Sequence, residues 1–277
     1  MPHSETQRIP LRPVTFSLRR CLTTVNTERR LEFKFSLPQP SEGHLVALSH
    51  QEAEELLLRN LRQAGDDPRD ALWQLAIFYS QACRHDLALD YLRRVMDLQP
   101  DIEHKAACVL GMGQIMEQAG DYESAVRYYR EAFALEPVNT RTWYFIHNNL
   151  GFSLNTLGRF AEGERYCRAA IGIDPQRPNA FKNLGIALQG QHRPADAARC
   201  FVQATRADAA DARSLKLLET MLAQHPDLGF EMELAACRNA VRTAAERRQT
   251  LEPVIHRGWR KRLILLQQRI ASWFKRK

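Results

Sequence analysis

Side-chain amides are the chemistry that this sequence concentrates. The run "FIHNNLGFSLNTLG", residues 145–158, keeps helical time through Leu150, Leu154 and Leu157, yet it holds Asn148, Asn149 and Asn155, and Asn183 follows in the related run "FKNLGIAL". Asparagine is a poor helix former, because its side chain competes for backbone hydrogen bonds. Each amide offers both a donor and an acceptor. A row of them on one helical face can therefore hold the main chain of an extended polypeptide without demanding its sequence. The alternative for Asn149 and Asn183 is structural, a bond to a neighbouring helix or to water.

Groups for covalent chemistry are scattered by comparison. The chain has no glycine-rich phosphate loop, no H-E-x-x-H and no G-x-S-x-G. His85, His104, His147 and His192 fall in or near turns and helix starts, and His147 lies on an apolar stripe, where a structural role outweighs that of a base. The six cysteines (Cys21, Cys83, Cys108, Cys167, Cys200 and Cys237) include no C-x-x-C pair, so neither a zinc site nor a dithiol is signalled. They read as reduced core residues. The expectation is a protein that is not an enzyme, with no cofactor and no metal.

Charge is unevenly placed. The chain has 39 basic and 32 acidic residues, but eight of the basic ones fall in residues 253–277, which hold no acid; the other 252 residues are nearly balanced at −1. Any case for an anionic partner thus concerns the last segment. There, "HRGWRKRLILLQQRIASWFKRK" reads as an amphipathic helix with Trp259, Leu263, Leu266, Ile270 and Phe274 on one stripe, broadened by Leu265 and Trp273. Trp259, Arg260, Lys261, Arg262, Trp273 and Phe274 are its expected membrane or partner contacts. Such a helix can lie in an anionic membrane interface, or dock on its own protein or a second copy, giving a homo-oligomer. Nucleic acid is disfavoured, since no recognised reader motif accompanies the charge. No apolar run reaches signal-peptide or membrane-span length, so the expected location is cytoplasmic, with peripheral membrane contact as the variant.

The elements that must carry these side chains recur along the chain. A large residue, Leu-Gly or its equivalent, a second large residue, a small residue, an aromatic or large residue and a proline appear in that order. Leu72, Leu75-Ala76, Tyr79, Ala88, Leu92 and Pro100 make one copy, and Val109, Met112-Gly113, Met116, Ala125, Tyr129 and Pro137 the next. His147, Leu150-Gly151, Leu154, Gly163, Cys167 and Pro175 follow, then Phe181, Leu184-Gly185, Leu188, Ala197 and Phe201, with Ala209 in place of proline. A fifth copy starts at Leu215, Leu218 and Leu222, but Glu219 replaces its glycine.

This pattern resembles the tetratricopeptide repeat, a helix-turn-helix unit. The small residues let paired helices approach, the aromatic fills the space between them, and proline ends the second helix. The resemblance implies an all-α, right-handed superhelical solenoid. Pro100 to Pro137 and Pro137 to Pro175 are longer than the usual unit, so "DIEHKAA" and "NTRTWYF" are expected to lengthen the first helices of the second and third copies by a turn.

In that family the first helix of each unit lines a concave groove that holds an extended peptide. Counted onto this chain, the groove receives Trp73, Gln74, Ile77 and Gln81, then Leu110, Gln114, Glu117 and Gln118, then Asn148, Asn149, Phe152, Asn155 and Thr156. Asn179, Lys182, Asn183, Ile186 and Gln189 follow, with Arg213, Lys216 and Thr220 last. The expected peptide contacts are Trp73, Gln74, Gln114, Gln118, Asn148, Asn149, Phe152, Asn155, Lys182, Asn183 and Lys216. The lysine clamp of the chaperone-binding relatives is not reproduced, because Lys182 is followed four places on by Ile186 and Lys216 by Thr220.

Both ends of the array need caps, or an apolar face would meet water. Ser49-His50-Gln51-Glu52 reads as a capping box opening a helix with Ala53, Leu57, Leu58 and Leu61 on one side. After the array, Leu234, Cys237, Val241 and Ala245 form one stripe. The alternation in "VTFSLRRCLTTV" and "RRLEFKFSLP" suggests a short β-hairpin, with a partly ordered extension as the plainer alternative. The expected organisation is an extension over 1–45, a cap helix over 46–66, repeats over 67–225, a second cap over 226–252 and the basic amphipathic helix over 253–277. The expected function is a non-catalytic scaffold or adaptor that binds an extended peptide of a protein partner. Its rival is a membrane-surface-associated or self-assembling structural protein acting through the basic helix.

Overall fold

The computed structural model describes residues 50–98 and 101–250; the expected β-hairpin and the basic segment 253–277 lie outside them. The chain divides into two compact units, Met1–Leu56 and Leu57–Lys277. Of the first, the described part is residues 50–56, the opening turns of α1 (His50–Gln63). Everything below belongs to the second.

Helices follow one another with short turns: α2 (Arg69–Gln81), α3 (His85–Asp97), α4 (Ile102–Ala119), α5 (Tyr122–Ala134), α6 (Thr140–Thr156), α7 (Phe160–Ile173), α8 (Pro178–Gly190), α9 (Pro194–Ala207) and α10 (Arg213–Gln224). A short 3-10 turn, Pro226–Leu228, leads to α11, helical over 231–250. No strand occurs among the described residues. Each of the pairs α2/α3, α4/α5, α6/α7 and α8/α9 packs as a hairpin, and each second helix also packs on the next first helix. First helices touch one another as well, α4 on α6 and α6 on α8. This is a helix-turn-helix solenoid.

The expected extra turns are present. α4 has 18 residues and α6 has 17, against 13 in both α2 and α8. Each long helix starts on a side-chain cap that satisfies otherwise orphaned amides. Asp101 accepts from His104 N, and Asn139 accepts from Arg141 N and Thr142 N. Glu103 in turn accepts from the backbone N–H of Val138 and Asn139, which ties the start of α4 to the start of α6.

Inside the hairpins the repeat residues take the packing roles that their sizes suggest. A Cβ on Gly113 would sit 2.3 Å from Tyr129 Cε1, and one on Gly185 would sit 2.5 Å from Phe201 Cε1. Both rings are fully buried, so each glycine is the space into which the ring of the second helix fits. Val109 of α4, Val126 and Tyr129 of α5, and Ile146, Leu150 and Leu154 of α6 form one buried cluster. A second joins Leu184 and Leu188 of α8, Phe201 and Val202 of α9, Leu218 and Met221 of α10, and Cys237 of α11. Leu234 and Val241 pack on that second cluster. Ala245, expected on the same stripe, is instead exposed, as are the residues of α11 that follow it. Cys108, Cys167 and Cys237 are buried free thiols, and burial pushes both Cys108 and Cys167 up to about 12.

The second helices are laced by ion pairs on their outer side. Arg130 of α5 reaches Glu162 of α7 at 3.2 Å, and Arg193 at the start of α9 reaches Glu164 of α7 at 3.3 Å. Such exposed pairs contribute little energy, about 0–1 kcal/mol each. Their effect here is to join successive repeats.

Candidate protein-interaction face

The helices α2, α4, α6, α8 and α10 are the first helices of successive units, and α4, α6 and α8 lie side by side. Trp73 on α2, Gln114 on α4, Phe152 on α6 and Lys182 on α8 are half-buried, while Gln74, Gln118 and Lys216 are exposed. The ring of Phe152 meets Tyr122 edge-on with centroids 6.2 Å apart. Gln118 accepts a hydrogen bond from Ser80 Oγ at 2.8 Å, which links α4 to α2. Lys182 Nζ donates to Asn179 Oδ1 at 3.1 Å, and burial, followed by the nearby Arg213, holds its ammonium below the usual lysine value. Arg213 donates to the Asp211 carboxylate at 2.8 Å. With Lys216, these groups make the α8–α10 end of the face cationic.

The asparagines correct the expectation. Asn148, Asn155 and Asn183 are 6%, 5% and 3% exposed, too deep for a peptide backbone lying on the surface. They bond helix to helix. Asn155 Nδ2 donates to the Asn183 carbonyl at 2.8 Å, and Asn183 Nδ2 donates back to Asn148 Oδ1 at 3.1 Å. Asn148 Nδ2 then donates to Asn149 Oδ1 at 3.0 Å. Of the four, Asn149 alone is half-buried and reaches the face. The physical reason is the direct contact of α6 with α8: residues that face a groove in an isolated helix face a neighbouring first helix in the stack. Sequence periodicity gives an angle around one helix, and it does not say how closely the next helix approaches.

The polar chain continues beyond Asn149. Its amide approaches the Tyr129 hydroxyl, which donates to Glu117 Oε2 at 2.9 Å. Burial raises the Glu117 carboxyl to about 7, with the Tyr129 bond and the nearby Ser153 hydroxyl pulling the other way. Burial also pushes the Tyr129 hydroxyl far up, so it stays a donor. Glu117 is legible in the sequence as a face residue, but its hydroxyl partner on α5 is not, since the two stand twelve positions apart with nothing in the pattern to join them.

His147 behaves as a packing residue. It is 6% exposed, its Nδ1 lies 2.8 Å from the Trp143 carbonyl oxygen, and its ring is boxed by Trp143, Phe133 and Tyr166. Burial lowers its pKa, so it stays neutral. Among the described residues there is no group of three His, Cys, Asp or Glu placed to hold a metal ion, and no helix is long and apolar enough to cross a membrane. Trp259, Arg260, Lys261, Arg262, Trp273 and Phe274 lie outside the described residues.

A ladder of hairpins, with Gly113 under Tyr129 and Gly185 under Phe201 at two of its seams, defines a helix-turn-helix repeat protein. Residues 67–135 and 110–178 each match a tetratricopeptide repeat family model. Residues 67–178 of the chain thus carry tetratricopeptide repeats. Among curated relatives, human tetratricopeptide repeat protein 7B is 32% identical over 97 residues, which is 35% of this chain and 11% of that protein. Type IV pilus assembly protein PilF of Pseudomonas aeruginosa is 29% identical over 145 residues, covering 51% of this chain and 54% of PilF. Hsp70-Hsp90 organising protein of Plasmodium falciparum is 26% identical over 97 residues, covering 35% and 37%. The matches thus span between about a tenth and about half of these relatives. Among solved structures, Pseudomonas aeruginosa PilF superposes with a TM-score of 0.52 at 21% identity, over 64% of this chain and 76% of that one. BtubC from P. vanneervenii gives 0.59 at 15% identity, over 72% and 91%. These two likenesses concern the fold.

Proposed function

We propose that the chain is a non-catalytic protein-interaction scaffold that holds an extended segment of a protein partner along its first-helix face. The observation that carries this reading is the row of accessible side chains from successive first helices, Trp73, Gln74, Gln114, Asn149, Phe152, Lys182 and Lys216, set over a floor of internally bonded amides. Such a floor is preorganised, so a ligand orders little of it on binding. Trp73 and Phe152 supply apolar contact, Gln74, Gln114 and Asn149 supply donors and acceptors for a main chain, and Lys182 and Lys216 favour acidic residues. Buried Asn148, Asn155 and Asn183 serve the face from beneath. Similarity to proteins named for organising chaperones and assembling pili is in keeping with a scaffold role.

The test is affinity purification from native lysate with mass spectrometry, comparing the intact chain with Trp73→Ala/Phe152→Ala. A protein enriched by the intact chain and lost with the variant, at unchanged helicity, supports the reading. Equal recovery by both forms contradicts it and favours the rival, contact with an anionic membrane or a second copy through residues 253–277, whose support is their eight basic residues without an acid. Flotation with phosphatidylserine vesicles and light scattering, with and without that segment, report on the rival directly.

A further inference from the structure

The face is electrically polarised along its length, and its two ends differ in kind. At α8 and α10 it offers Lys182, Arg213 and Lys216, with Asp211 engaged by Arg213. At α4 it offers one carboxyl, Glu117, half-buried and bonded through a single oxygen to Tyr129 of α5. Ser153 of α6 faces the same carboxyl; its Oγ is fully buried and has no partner at bonding distance. Next to it, Ser80 of α2 is engaged by Gln118. The groups around Glu117 are therefore neutral hydroxyls and amides, and among the described residues no charged group shifts its titration. A carboxyl so placed lacks a counter-charge.

We propose that Glu117 receives a cationic side chain, lysine or arginine, from the bound segment and so sets its direction, with the basic residue over α4 and acidic residues over α8 and α10. This rests on the scaffold reading above and names the chemistry of its partner. First helices α4, α6 and α8 are successive neighbours, so α4 and α8 are separated by two helix spacings, about 16–20 Å. An extended chain crosses that in roughly five or six residues. The segment recognised therefore carries a lysine or arginine about five or six residues from an acidic pair, in one order and not the other. Free Glu117 holds a proton up to about 7, and an incoming cation displaces it to solvent, so binding strengthens as pH rises through that value.

Random decapeptides displayed on phage, selected against the full chain at about pH 8, test this. The expected winners share the basic residue and the acidic pair in a single order, and they lose about tenfold or more in affinity at about pH 6 and with Glu117→Gln. The glutamine side chain is near-isosteric with glutamate and removes the charge, and circular dichroism of the variant checks that the fold is kept. Winners that lack the basic residue, or that bind Glu117→Gln as well as the parent, overturn the inference while leaving the scaffold reading standing. A selection in which no winner is lost with Trp73→Ala/Phe152→Ala overturns both.

Discussion

At the scale of single residues, two polar groups inside the array decide how it responds to change. Glu117 has a folded pKa of about 7 against an ordinary 4.5, so the folded state binds its proton more tightly than the unfolded chain does. Its favourable contribution is complete below the ordinary value and is lost as pH rises through about 7. The difference amounts to about 3 kcal/mol. Thermal melts across that interval are expected to show the parent losing more stability toward alkaline pH than Glu117→Gln does, since the variant lacks this titration. Asn183 is the second group. Its amide donates to Asn148 within the α6–α8 contact, so Asn183→Ala leaves a buried acceptor unpaired and costs about 1–3 kcal/mol in urea unfolding. Asn149→Ala, nearer the surface, should cost less. The asparagines show what sequence reading can and cannot reach. Their unusual placement in helices is visible along the chain, as is the alternative that they bond neighbouring helices. Choosing between the two requires the α6–α8 approach, a distance that no spacing along the chain encodes.

At the scale of elements, the hairpin seams and helix starts are largely legible, because they depend on size and on local hydrogen bonding. Gly113 under Tyr129 and Gly185 under Phe201 follow from a small residue facing an aromatic at fixed spacing. Gly113→Ala forces its new methyl group into the buried Tyr129 ring and should destabilise the α4/α5 hairpin by about 1–3 kcal/mol, read by urea unfolding. The lengthened α4 and α6 follow from the longer intervals between prolines, and their caps explain where the added turns begin. Asn139→Ala removes the acceptor for two amides of α6 and should cost about 1 kcal/mol, with faster hydrogen exchange confined to the first turn of that helix. The end of the α11 stripe is less legible. Ala245 has the right spacing and a compatible size, but a helix can leave the surface it packs on while its pattern continues.

At the scale of the molecule, a repeat array is stabilised chiefly by contacts between neighbours, so damage spreads along it in order of distance. α11 closes the last cluster through Leu234, Cys237 and Val241 against α8–α10. Val241→Asp places a charge at that packed face and should loosen α10 before α4, a gradient that hydrogen exchange resolves by segment. The same continuity gives the first-helix face its register, since Ser80–Gln118, Glu103–Asn139 and the asparagine chain tie each unit to the next. Binding and stability thus draw largely on different side chains of the same helices, with Glu117 serving both. The measurement that separates them most directly is hydrogen–deuterium exchange of the full chain with and without its recovered partner. Protection concentrated on α2, α4, α6, α8 and α10 is the predicted result. Protection confined to α3, α5, α7 and α9, or to residues 253–277, would contradict a partner held on the first-helix face.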